Sequence, residues 1–232
     1  MDIVIMCAGK GSRLMPLTKD KPKCMVEVKD KPILRHILDN IEESNIEVDN
    51  LILVVGYKKE VIHNYLKGYD CPFGLWIIPQ NKLDGTANAI FLAKDTITTD
   101  TFLVLSGDII YKPEEIKDLA SESNSLLCTT MDKRLYEYGT IDFDDVSGNI
   151  RYINEKTTRP TSHYVNCGAY HFTKEVFSYI KDTPVDRRFK EKIITNTINL
   201  MIDDGIEFSG IDINNLNEVS YPSDIKEVSE HI

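Results

Sequence analysis

The sequence lacks the marks of several classes of protein. None of its apolar runs approaches the roughly 18–20 residues of a membrane-spanning helix, and no basic segment leads into a long apolar core at its start. Neither a membrane partner nor a signal peptide is expected. The five cysteines (Cys7, Cys24, Cys71, Cys128, Cys167) are odd in number and scattered, with no CxxC pair. A disulfide framework or a zinc site is therefore not expected, and reduced thiols in a soluble, cytoplasmic protein are. Positive charge is also scarce: 27 Lys and Arg against 37 Asp and Glu give a formal charge of −10, which disfavours non-specific binding to nucleic acid. A nucleotide substrate is still allowed, because a few local cations suffice for it. The five histidines share no metal-ligand spacing, and no internal repeat, low-complexity linker or domain boundary is visible. A single domain over residues 1–232 is expected, with strand-like sequence from residue 3 onward. A homo-oligomer is compatible with all of this.

What is present begins at once. Ile3, Val4, Ile5 and Met6 form a short apolar run that breaks into a basic, glycine-containing loop: Gly9, Lys10, Gly11, Ser12 and Arg13, then Pro16, Pro22 and Lys23. A buried strand that delivers a flexible cationic loop at its C-terminal end is one way for an α/β protein to hold phosphate. The third glycine of a dinucleotide fingerprint and the Lys-Ser/Thr of a P-loop are both missing.

Downstream, apolar spacing predicts helices over 32–41, 58–67, 85–94, 113–120, 174–180, 187–203 and 222–230. Short apolar runs predict strands over 51–55, 75–78, 101–105, 125–131, 164–172 and 207–213. Segments 138–143 and 149–154 flank Asp144-Asp145-Val146-Ser147-Gly148 as a β-hairpin. Strand, loop and helix alternate closely in the first half, which argues for βαβ units. The expected fold is a three-layer α/β/α domain with a mixed, mostly parallel sheet, to which the second half adds a small antiparallel subsheet.

The first loop continues as AGKGSRLxPLTxxxPKxM, from Ala8 to Met25. Further segments follow in order: Val55-Gly56-Tyr57; Gln80 with Gly85-Thr86-Ala87; Leu105-Ser106-Gly107-Asp108; Tyr138-Gly139; Asn154-Glu155-Lys156; Val165-Asn166 with Gly168; and Glu218 to Asp224. Together they resemble, over essentially the full length, the sugar-1-phosphate nucleotidyltransferases, whose domain is Rossmann-like. The closing element departs from the family, with Glu218 in place of Asp and Ser220 in place of Gly or Asp.

The resemblance implies an enzyme that joins a nucleoside triphosphate to a sugar-1-phosphate by in-line attack on the α-phosphorus, with Mg²⁺, releasing pyrophosphate. Positioning and charge neutralisation carry such a reaction, and no protein nucleophile is needed. It implies a nucleotide-binding half of about 1–112, with Ala8, Gly9, Gly11, Ser12, Arg13, Gln80, Gly85 and Thr86 at the nucleotide. The half of about 113–232 would bind the sugar phosphate through Gly139, Glu155, Lys156 and Asn166. Arg13, Lys23 and Lys156 are the expected catalytic cations. Asp108 and Glu218 are the expected metal ligands, with Asp212 as the substitute for Glu218. Gln80 and the Glu155-Lys156 pair point to UTP or dTTP and glucose-1-phosphate. Glu218 leans instead towards a cytidylyltransferase for choline phosphate or a similar amino-alcohol phosphate. A mannose-1-phosphate guanylyltransferase is a further alternative, and a non-catalytic nucleotide-sensing subunit would be expected to lack Arg13, Lys23 or Asp108.

Overall fold

Alternation of apolar side chains builds the layers of this protein, whose computed structural model describes residues 1–232. In β1 (Asp2–Cys7), Ile3, Ile5 and Cys7 join one core while Val4 joins the other. In β4 (Asn50–Val55), Leu51, Leu53 and Val55 face the first core and Ile52 and Val54 the second. β6 (Thr101–Ser106) divides Leu103 and Leu105 from Phe102 and Val104 in the same way. Both faces are covered, so these strands read as unbroken apolar runs rather than alternating ones. One face carries α1 (Ile33–Glu43), α2 (Lys59–Leu66), α4 (Pro113–Ala120) and α7 (Asp224–His231). The other carries α3 (Thr86–Leu92), α5 (Val176–Asp182) and α6 (Ile194–Asp203). No helix is long and apolar enough to cross a membrane.

The remaining strands are β5 (Gly74–Pro79), β7 (Ser125–Thr130), the hairpin β8 (Gly139–Phe143) and β9 (Ile150–Glu155), β10 (Tyr164–Thr173) and β11 (Ser209–Asp212). The main sheet runs β11-β7-β10-β6-β1-β4-β5, and the hairpin joins it through β8 on β10. Within that order only β10 runs against its neighbours. The sheet is thus mixed and mostly parallel, as expected. Strand order reverses beside β1: the chain steps out to β4 and β5, then returns to the other side as β6. The loops after β1 and β6 therefore meet in a crevice at their carboxyl ends, where α/β sheets bind ligands.

Three expectations need correction. Residues 27–32 form an unforeseen ribbon, β2 (Glu27–Val28) and β3 (Lys31–Pro32). Its turn holds Lys29 and Asp30 at φ 48° and 59°, a conformation normally signalled by Asn-Gly, so nothing in Lys-Asp announced it. Pro32 consequently closes the ribbon, extended at ψ 145°, and α1 starts after it. The helix expected over 187–203 begins only at Ile194. Lys190 adopts φ 59°, and Lys192 is tied by backbone hydrogen bonds to Asp84 and Ala87 (2.9 and 3.1 Å). The last helix begins at Asp224 rather than Pro222, because the Asp224 carboxylate accepts from the backbone N–H groups of Ser220 and Tyr221.

The end of the sheet far from the crevice is fastened by a buried carboxylate. Asp2 accepts hydrogen bonds from Thr98, Thr99 and Asn50, which outweigh the opposing effect of its burial and hold its pKa below the ordinary value. A lowered folded-state pKa contributes stability above the unfolded value and loses it as pH falls through the folded one. Asp2→Asn should therefore lower stability near neutral pH by about 2 kcal/mol. It should also flatten the acid limb of the stability curve, as measured by urea unfolding between pH 7 and pH 3.

Candidate active site

The loop after β1 is shaped by three supports. Ala8 accepts from the backbone N–H of Tyr57 at 3.1 Å, and a side chain at Gly56 would collide with the same carbonyl. Tyr57 reaches under the loop to donate to the Lys19 carbonyl at 2.7 Å. Thr18, buried, donates to the Gly11 carbonyl at 2.8 Å. Gly11 sits at φ 65°, and a Cβ there would lie 2.9 Å from the Cβ of Lys23. The loop thus doubles back, and glycine at position 11 lets Lys23 come close beneath it.

Lys23 points to the place where β6 and the C-terminal element meet. Val219 N–H donates to the Asp108 carbonyl and Ile110 N–H to the Asn217 carbonyl, both at 3.1 Å. This short antiparallel contact sets Asp108 and Glu218 side by side. The Lys23 ammonium is hydrogen-bonded to Asp108 and lies 3.5 Å from Glu218, and all three side chains are largely buried. Asp212 ends β11 beside Cys128 and borders neither cavity described below. Tyr138 packs against Glu218; burial first, and then that carboxylate, push its phenol pKa upward.

Arg13 leans towards the second half of the chain. It bonds Glu137 at 2.7 Å and the Ser220 hydroxyl at 3.1 Å, and it stacks over the Tyr221 ring at 5.2 Å. Arg134 lies 5.2 Å from the same ring, so Tyr221 touches two guanidinium groups.

Two cavities of about 430 and 270 Å³ open along this line. The larger is bordered by Ala8, Gly9, Gly11, Ser12, Lys23, Gln80, Gly85 and Thr86. The smaller is bordered by Arg13, Gly139, Glu155, Lys156, Asn166 and Glu218. Asp108, Ser106 and Thr86 border both. The expected residues therefore collect in two adjoining spaces with Asp108 at the junction. Neither half of the chain owns a cavity: Arg13 borders the smaller and Glu191 both.

In the larger cavity, the Gln80 amide nitrogen donates to the Gly85 carbonyl at 3.2 Å and to Asp84 at 3.4 Å. Its carbonyl oxygen is left for an outside donor. Gly85 has φ 115°, and a Cβ there would sit 2.0 Å from the Lys192 carbonyl. Thr86 accepts from Ile194 N–H at 3.0 Å.

In the smaller cavity, Glu155 accepts from the Thr195 hydroxyl at 2.9 Å and has Lys156 at 3.9 Å. Burial raises its pKa more than those partners lower it. Asn166 is committed locally: its Oδ1 accepts from Gly168 N–H and its Nδ2 donates to the Tyr170 hydroxyl. Lys156 and Arg188 lie 5.4 and 4.9 Å from the Phe189 ring.

No group of three or more His, Cys, Asp or Glu side chains is placed to hold a metal. Asp108 and Glu218 form a hard-oxygen pair facing one cation. Such a donor set fits Mg²⁺, which takes one or two carboxylates and completes its shell with phosphate oxygens and water.

Sequence reasoning overlooked Glu137, Glu191 and Thr195. The first had only its neighbour Tyr138-Gly139 to mark it, and the other two lay in what read as one long helix. Ser220 was visible solely as a departure from the motif.

These features define a class: a nucleotide-type α/β sheet with a two-part cleft at its switch point. The profile of the nucleotidyl transferase family matches residues 3–217. A curated relative, the "Bifunctional protein GlmU" of Methanocaldococcus jannaschii, is 36% identical over all of this chain, which spans 54% of that protein. The chain thus covers about half the length of the first curated relatives it matches. A second, the "UTP--glucose-1-phosphate uridylyltransferase AglF" of Haloferax volcanii, is 33% identical over 100% of this chain and 96% of its own length. A solved UDP-glucose pyrophosphorylase in complex with UDP-glucose superposes with a TM-score of 0.86 at 19% identity, covering 99% of this chain and 97% of that one. That likeness bears on the fold alone. The chain belongs to the nucleotidyl transferase family, among its sugar-1-phosphate nucleotidyltransferases.

Two outcomes test the geometry. Gly85→Ala should strain the loop and push it off Lys192. Thermal unfolding should drop by several degrees, corresponding to about 1–3 kcal/mol, and nucleotide affinity should fall with it. Because burial raises the Glu155 pKa, a substrate KM that depends on its ionised form should begin to rise at a higher pH, as the solution is acidified, than an ordinary carboxylate would allow. Glu155→Gln should abolish that limb of the pH profile while leaving the limb at high pH unchanged.

Proposed function

We propose that the chain catalyses transfer of a nucleotidyl group from a nucleoside triphosphate to a sugar-1-phosphate, giving a nucleoside-diphosphate sugar and pyrophosphate. The observation that carries this reading is the meeting of two cavities at Asp108, with Lys23 and Glu218 beside it. One cavity takes the triphosphate and the other the acceptor. Asp108 and Glu218 would hold Mg²⁺, which would supply charge neutralisation beside the clustered phosphates.

The chain's own groups account for the rest. Gly9 and Gly11 expose backbone to the triphosphate without a Cβ in the way. Lys23 offsets charge where the attacking phosphate meets the α-phosphate. Arg13 borders only the smaller cavity but shares the Ser220 hydroxyl with Lys23, and from there it offers a planar fork to the departing pyrophosphate. Lys156 holds the acceptor phosphate. Glu155 accepts from sugar hydroxyls.

Gln80 supports UTP or dTTP as donor. With its N–H groups engaged by Asp84 and Gly85, its free carbonyl suits the N3–H of uracil or thymine and not the bare N3 of cytosine. Glucose-1-phosphate is the favoured acceptor. The competing reading, cytidylyl transfer to choline phosphate, is supported by Glu218 and by the carboxylates Glu137, Glu155 and Glu191 around the smaller cavity. Against it, the Phe189 ring that would receive a quaternary ammonium already has Lys156 and Arg188 beside it.

Pyrophosphate release should be measured with each of the four ribonucleoside triphosphates and dTTP. Each is paired with glucose-, mannose- and glucosamine-1-phosphate and with choline phosphate, in Mg²⁺. The expected maximum is UTP or dTTP with glucose-1-phosphate; a maximum at CTP with choline phosphate transfers the assignment to the second reading. Turnover with no pair overturns both. Asp108→Ala should reduce kcat by at least about 10³-fold. Lys23→Ala should reduce kcat by about 10²-fold while changing nucleotide affinity far less.

A further inference from the structure

Ser220 occupies a position that the reaction scheme above leaves without a role. It is buried at 2% exposure, and its hydroxyl sits among three charged groups. A hydroxyl has one proton to donate and two lone pairs to accept with. In Ser220 all three are used: it donates to Glu218 and accepts from Lys23 Nζ and from Arg13 Nη2, each at 3.1 Å. Its backbone is fixed as firmly. Ser220 N–H donates to Asp224 at 2.9 Å, Tyr221 N–H donates to the same oxygen at 2.8 Å, and the buried Asp224 has Arg134 at 3.6 Å. The hydroxyl therefore cannot drift with its loop.

The arrangement solves an electrostatic problem. An ammonium and a guanidinium from one loop both approach a single oxygen atom, and at such separations like charges repel by several kcal/mol in a partly buried setting. Glu137 takes one side of Arg13, and Asp108 with Glu218 takes Lys23. Only Ser220 touches both cations, and its proton is committed to Glu218, so its lone pairs face the two positive groups. The carboxylate orients the hydroxyl, and the hydroxyl sets the distance between the cations.

We propose that Ser220 is a positioning residue that fixes the spacing of Arg13 and Lys23, so that the two cations address a triphosphate or a departing pyrophosphate as one unit. This rests on the function proposed above only for the identity of the anion. Without the hydroxyl, the two cations separate and Glu218 loses one of its donors. The anion is then gripped by two independent groups in place of a preorganised pair.

The test uses magnesium pyrophosphate, a probe that requires neither the right base nor the right sugar, with the whole chain and calorimetric titration. Ser220→Ala should weaken its binding about 10-fold, the scale of one charge-assisted hydrogen bond. Ser220→Thr, which keeps the hydroxyl, should stay within about 3-fold of the parent. In an Arg13→Ala background the further change Ser220→Ala should have little effect, because the spacing of a pair has no meaning once one member is gone. Thermal midpoints within a few degrees of one another show that the fold is retained. In turnover, Ser220→Ala should lower kcat and leave the acceptor KM nearly unchanged. Parent-like pyrophosphate affinity in Ser220→Ala overturns the proposal, as does the same loss with and without Arg13. A parent chain that binds no magnesium pyrophosphate also overturns it. A chain that shows the expected binding pattern but turns over no substrate pair keeps this inference and removes the proposed function instead.

Discussion

One ammonium group holds the centre of this structure. Asp108 and Glu218 are forced together by backbone pairing between residues 108–110 and 217–219, and two adjacent carboxylates in a partly buried crevice repel. Like charges brought this close cost free energy unless a cation lies between them. Lys23, 85 residues before Asp108, supplies the compensating charge. The carboxylate pair thus needs a cation beside it, and in this structure the Lys23 ammonium is that cation.

Much else follows from bringing Lys23 there. The loop must reverse at Gly11 without a Cβ, Thr18 must be buried to hold the reversal, and Tyr57 must brace the return. That in turn explains why Gly56 follows β4: a larger residue would strike the Ala8 carbonyl. Three motifs that look separate in the sequence are parts of one mechanical assembly, with β1, β4 and β6 side by side as its base.

Legibility differed between the two halves for physical reasons. The parallel strands are buried on both faces, so their apolar runs stood out, and the helices between them carry clear 3.6-residue periodicity. The loop residues were legible because close backbone approach admits few residue types. What stayed hidden depended on contacts across long sequence separation. Residues 187–193 read as helix because they contain few breakers, but Lys192 is claimed by Asp84 and Ala87, more than a hundred residues earlier. The turn at Lys29-Asp30 defied local preference because the ribbon is held at both ends. Glu137, Glu191 and Thr195 are ordinary polar residues whose importance arises only from what faces them. Ser220 showed in the sequence only as a departure from a motif, whereas in three dimensions its hydroxyl uses its proton and both lone pairs.

The Gly85–Lys192 contact gives the two cavities a common wall. Gly85 and Thr86 border the larger cavity, yet their backbone and hydroxyl are hydrogen-bonded to Lys192 and Ile194 or packed on them, in the segment that also bears Thr195 and leads from Glu191. Thr195 in turn holds Glu155 in the smaller cavity. The Gln80-Gly85 turn is thus joined to the Glu155 carboxylate by contacts through Lys192, Ile194 and Thr195. Packed interiors resist small independent shifts, so the two cavities share a wall whose residues are not free to move separately. The segment 191–195 carries these contacts, which is why residues so far from Gly85 in the sequence help to shape the cavity that Gly85 borders.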